Sequence, residues 1–223
     1  MIPFEYNYYL AISLYSKLRL YQEEIKKLHQ KNQPGIYTFS NIITKGAKYG
    51  ANGLDIQKGF FVLRSIDDNI ESYLRLGLSV DPYLKIVESI FKVKTVTRTA
   101  GRLDNVDSAN FRTLSPVLVR NFESKKLFVT EAEDVERNLN SVMKWVLKNQ
   151  FGMDEDSVSS LGVSVSRPRP KSVRISSSPV KESITRAFEF SGRISGDSGV
   201  LQVLYHKGLG SKTGLGLGCW EIT

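Results

Sequence analysis

Five of the eleven residues from Gly208 to Gly218 are glycine, interleaved with leucines and one lysine, Lys212. Amide groups without Cβ atoms around them, beside a cation, can cradle an anion, and phosphate is the obvious one. Two nucleotide-binding loops fail on spacing. A P-loop needs glycine directly before its lysine and again five residues earlier; those positions hold Ser211 and His206. A dinucleotide loop opens a helix and has an acidic residue about twenty positions on. Here nine residues follow Gly214, and Leu217, Cys219, Trp220 and Ile222 read as a strand. A nucleotide-binding enzyme is therefore disfavoured. The glycines suit equally a tight crossing before a terminal strand. Acid–base candidates are few, since the chain has two histidines, His29 and His206, and one cysteine, Cys219. Histidine titrates near neutrality and can give or take a proton. So small a set of ligands predicts no structural zinc, and neither a metal nor a cofactor is expected.

These residues need elements to hold them. Apolar side chains at Tyr6, Tyr9, Leu10, Leu14, Leu18, Tyr21, Ile25 and Leu28 recur in steps of three and four, which predicts an amphipathic helix over 6–28. Strands are predicted at 36–43, 59–63 and 86–97, a loop over 44–56, and a helix over 67–76 capped by Asp67 or Asp68. The polar stretch 99–112 reads as a linker between domains 1–100 and 111–223. Beyond it, 114–122 and 127–130 are strand-like. A helix over 131–151 starts from Thr130 with Glu133 completing a capping box. Strand-like segments follow at 163–165, 173–176 and 184–194, then a short helix over 200–205. Each half mixes strands and helices, which predicts an α+β fold of two tandem ferredoxin-like units, the first lacking its opening strand.

There are 31 Lys and Arg against 23 Asp and Glu, a net charge of +8. That excess favours an anionic partner, nucleic acid first. Between 164 and 193 lie seven basic and two acidic residues, among them Arg167, Arg169, Lys171 and Arg174. Such a run suits an RNA track or an edge strand guarded by charge. Pro168 and Pro170 keep the segment at a sheet edge or in a loop. A lone cysteine fits a reducing, cytoplasmic compartment, and no apolar run is long enough to span a membrane.

The loop pattern Gly208-x-Gly-x-x-x-Gly-x-Gly-x-Gly before a last strand resembles the C-terminal signature of the CRISPR repeat-processing endoribonucleases of the RAMP superfamily. Lys58-Gly59-Phe60-Phe61, Thr113-Leu114-Ser115-Pro116-Val117 with Val119-Arg120, and the start Ile2-Pro3 through Tyr8-Tyr9-Leu10 add three ordered matches. The resemblance implies two ferredoxin-like domains and a CRISPR repeat RNA substrate. It also implies a metal-independent cut, in which the ribose 2′-OH attacks the adjacent phosphate to leave a 2′,3′-cyclic phosphate and a 5′-OH. It places Tyr15 and His29 on the catalytic tyrosine and histidine of the archaeal branch. The lysine position falls on Gly35, with Lys31 the nearest substitute. Gly208, Gly210, Lys212, Gly214, Gly216 and Gly218 would contact RNA, as would Arg167, Arg169, Lys171 and Arg174. A homodimer and other CRISPR effector subunits are the further partners it admits. The alternative is a non-catalytic RAMP subunit that binds crRNA.

Overall fold

The computed structural model describes residues 1–18, 35–99, 103, 106–122, 127–178 and 181–223. The C-terminal half is built on a four-stranded antiparallel sheet. Its strands are β7 (Ser108–Thr113), β8 (Gly162–Ser178), β9 (Lys181–Ser195) and β10 (Trp220–Ile222), in the order β10-β7-β9-β8. Alternation along β9 turns Phe188, Phe190 and Ile194 to one face, where Phe111 of β7 joins them in the core. Helix α3 (Val135–Phe151) covers that face with Val135, Leu139, Val142, Met143, Val146 and Leu147, the stripe its periodicity requires. A one-turn helix, α4 (Glu155–Ser159), links α3 to β8. Helix α5 (Ser198–Lys207) adds Val200, Leu201 and Leu204, and its N-cap Asp197 accepts from the Gly199 and Val200 amides. Trp220 is fully buried, with its indole N–H on the Leu204 carbonyl at 3.0 Å.

In the N-terminal half, α1 (Asn7–Lys17) packs Leu10, Ala11 and Leu14 into a second core with Ile70, Leu74 and Leu78 of α2 (Asp68–Val80). Three small antiparallel pairs flank the helices. β1 (Tyr37–Phe39) pairs with β4 (Leu63–Ser65), β2 (Lys48–Gly50) with β3 (Gly53–Asp55), and β5 (Tyr83–Ile86) with β6 (Ser89–Lys92). No strand precedes α1 among the described residues; Ile2 makes only an isolated bridge, exchanging two 2.8 Å hydrogen bonds with Leu54. The fold is thus α+β with two ferredoxin-like units in tandem. No helix among the described residues is long and apolar enough to cross a membrane.

Several elements depart from the sequence expectation. The 44–56 loop contains the β2–β3 hairpin, whose short polar strands carry no alternation signal. The single strand expected over 86–97 is the β5–β6 hairpin, which turns at Val87, a residue with no turn signal but a φ of 57°. The linker 99–112 overlaps β7, an inner strand whose outward Asn110 and Arg112 make it look like a loop. Helix 131–151 begins with a 3-10 turn over Ala132–Asp134. The Thr130 hydroxyl reaches the Glu131 carboxylate at 3.0 Å instead of capping the helix. Residues 114–122 and 127–130 make isolated bridges only. The segments 163–165, 173–176 and 184–194 fuse into the long β8–β9 hairpin, in which β8 is an edge strand as Pro168 and Pro170 require. Helix α1 is described to its end at Lys17, with Leu18 as its cap; the rest of the predicted 6–28 helix lies outside the described residues.

Candidate functional site

The glycine loop runs from the end of α5 to β10 and lies in the seam between the two halves. Gly208, Gly210, Gly216 and Gly218 are buried, Gly214 is half-buried, and Lys212 is exposed. The amides of the loop are largely engaged by the chain itself. Gly208 N–H donates to Leu204 at 2.9 Å, Leu209 to Gly218 at 2.8 Å, Ser211 to Leu118 at 2.8 Å, Gly216 to Thr213 at 2.9 Å and Gly218 to Pro116 at 2.9 Å. The buried Lys207 ammonium donates to the carbonyls of Gly208 and Gly210, and burial pulls its pKa down to about 8. The expected phosphate cradle of loop amides is therefore corrected: at Gly208, Gly216 and Gly218 the amides bond carbonyls. Close packing explains the glycine at 216, where φ is 73° and a Cβ would lie 2.1 Å from the Phe39 ring. The loop's accessible part is its rim, Ser211, Lys212, Gly214 and Leu215, with Lys212 at φ 58° before a 3-10 turn.

Polar side chains lock the seam. Thr38 Oγ1 donates to the Leu217 carbonyl at 2.9 Å. Asn7 Nδ2 donates to Gly216 O at 2.7 Å and to Asn41 Oδ1 at 3.0 Å, while the Asn41 amide reaches Leu114 O at 2.9 Å. Arg64 donates to the Trp220 carbonyl and stacks 3.8 Å from the centre of the Tyr205 ring. None of these residues stood out in the sequence. Only Asn7 had a signal: it is a polar residue on the apolar stripe of α1 that buries Leu10, Ala11 and Leu14.

Tyr15, near the end of α1, is half-buried and acts electrostatically on Tyr37, whose phenol burial pushes up to about 12. Tyr37 packs 3.3 Å from where a Gly214 Cβ would stand. Tyr15, Tyr37 and Leu215 of the loop rim pack against the same core. Gly35 faces the same rim, and a Cβ there would fall 2.4 Å from Thr213 Oγ1, so a larger residue needs Thr213 to move. His29 and Lys31 lie outside the described residues. The rival histidine, His206, is half-buried on α5 and faces the Ser65 backbone and Arg64; burial first, then that guanidinium, lowers its pKa.

The basic run divides in two. Arg167, at the β8 bulge with φ 52°, is exposed, as are Arg169 and Lys171, the last 3.4 Å from Glu189. Arg174 has an 11% exposed side chain, bonds Glu5 at 3.0 Å and lies 5.7 Å over the Tyr9 ring. It ties β8 to the start of the chain.

This arrangement of two units closed by a glycine loop matches known proteins over its whole length. The family described as "CRISPR-associated protein Cas6, N-terminal" matches residues 1–97, and "CRISPR associated protein Cas6, C-terminal" matches 102–222. The chain belongs to the Cas6 family. A Cas6 relative named CRISPR-associated endoribonuclease Cas6, from Pyrococcus furiosus, is 24% identical over 99% of this chain and 83% of its own. The endoribonuclease-like protein Cas6nc of Pyrococcus horikoshii is 27% identical over 100% and 93%. Among solved structures, one described as an RAMP protein binding different RNA substrates superimposes with a TM-score of 0.83 at 25% identity, covering 100% of this chain and 93% of that one. A Cas6-related protein from Pyrococcus furiosus gives 0.82 at 26%, covering 100% and 92%.

Proposed function

We propose that this chain is an endoribonuclease that cuts CRISPR repeat RNA without a metal ion. The observation that carries the reading is the match of both halves, in order, to the two Cas6 domains. In this reading the ribose 2′-OH attacks the adjacent phosphorus, a base takes its proton, and an acid protonates the departing 5′-oxygen. The products are a 2′,3′-cyclic phosphate and a 5′-OH end. His29 serves as the acid or base, Tyr15 orients the reacting groups, and Lys31 offsets charge growing on the phosphorane. RNA runs over the loop rim at Lys212 and along Arg167, Arg169 and Lys171. Support for the Tyr15 end comes from the core that Tyr15 shares with Tyr37 and with Leu215 of the loop rim.

Glycine at position 35, where the resemblance expects lysine, favours a second reading: a subunit that binds crRNA without cutting it. Incubation with repeat RNA in EDTA separates the two. Product with a cyclic phosphate end supports the nuclease, and tight binding without product supports the subunit. His29→Ala is expected to keep RNA affinity and lose most cleavage. Full activity in that variant would remove His29 from the mechanism and turn attention to His206.

A further inference from the structure

Between the loop rim and α3 lies a cavity of about 150 Å³. Phe122 and Trp145 stand in its wall, 46% and 44% exposed, with ring centres 6.4 Å apart and planes inclined at 47°. The large aromatics of the C-terminal core, Phe111, Phe188 and Trp220, are fully buried. An exposed pair inclined like open jaws is therefore not core packing. The Arg120 guanidinium lies 5.5 Å from the centre of the Phe122 ring, and Lys212 and Gln150 also line the cavity. Thr213 also lines the cavity, its Oγ1 buried with no hydrogen-bond partner among the described residues. Aromatic faces beside cations and one amide side chain suit a base with its phosphate. They suit an apolar protein segment poorly, because it would strand the charges of Arg120 and Lys212.

We propose that this cavity holds one unpaired nucleobase of bound RNA, stacked on Phe122 and Trp145, with its phosphate facing Arg120 and Lys212. The inference rests on RNA being the ligand, and it identifies where the protein grips a single base. The Gln150 side chain supplies hydrogen bonds to the base edge or ribose. Cations fix the backbone without regard to sequence, whereas an amide side chain can discriminate between bases.

The chain has two tryptophans, and Trp220 is 0% exposed, so fluorescence quenching by RNA reports Trp145. The probe is single-stranded repeat RNA made uncleavable by 2′-O-methylation. Wild-type protein is expected to bind with marked quenching, and Phe122→Ala to weaken binding roughly 5- to 160-fold, the range of one lost stacking contact. Trp145→Ala should give a similar loss, which guards against a folding defect peculiar to one variant. An abasic site at one position should cost wild type the same factor and Phe122→Ala almost nothing further. Full affinity in both variants, with no quenching in wild type, overturns the base pocket while leaving RNA binding intact. Absence of any RNA binding overturns the RNA reading itself.

Discussion

Gly216→Ala tests whether the loop glycines serve packing or ligand contact. At φ 73° an alanine pays the left-handed penalty, about 1–2 kcal/mol. Its Cβ would stand 2.1 Å from one Phe39 ring carbon and 2.4 Å from another, and Phe39 is fully buried, so the ring cannot simply swing into solvent. Overpacking of that kind adds about 1–3 kcal/mol. The sum is about 2–5 kcal/mol, which for a chain of this size lowers Tm by roughly 4–20 °C. Differential scanning calorimetry and urea unfolding measure it directly. Lys212→Ala is the control: its exposed side chain should leave Tm within about 1 °C, since surface changes are small, while weakening RNA binding in a salt-dependent way. An unchanged Tm in Gly216→Ala, with RNA affinity lost, would refute the packing account and return the glycines to the ligand.

Lys207 gives a pH test. Its folded pKa, about 8, lies below the ordinary lysine value, so between these limits the unfolded chain binds more protons and stability rises with pH. Urea unfolding at pH 7.5 to 9 should show that rise, and Lys207→Met should flatten it relative to wild type; parallel profiles would count against a lowered pKa for the buried amine. Cys219, buried with its thiol pushed up to about 11, should resist iodoacetamide at pH 8 in the folded protein and react once urea unfolds it. Rapid labelling of folded protein would contradict that burial.

Local signals were readable where the deciding contact is local. Helix α2 showed its Asp67 cap, which accepts the Asn69 amide at 2.9 Å. The edge position of β8 followed from its prolines. Strand β7 was hidden because its outward face is polar, and the β5–β6 turn because Val87 carries no turn chemistry. The loop was legible as a pattern but not as a physical object. What it presses on, Thr38 and Phe39, lies some 180 residues earlier in the chain. No spacing within the loop encodes that contact. For the same reason the core that joins Tyr15 to Tyr37 and Leu215 did not show in the sequence, and the Phe122–Trp145 pair came from two segments with no shared periodicity.

The seam's bonds run from side chain to backbone and from backbone to backbone: Thr38 to Leu217, Asn7 to Gly216, Asn41 to Leu114. Contacts of this kind have almost no slack, because a shift of one ångström breaks them. Paired domains usually move relative to each other unless their interface is extensive and apolar. Here the bonds tie Asn7 and Thr38 of the N-terminal half to the backbone of the glycine loop. A substitution at either position therefore reaches the C-terminal half, and the loop cannot shift without disturbing both units.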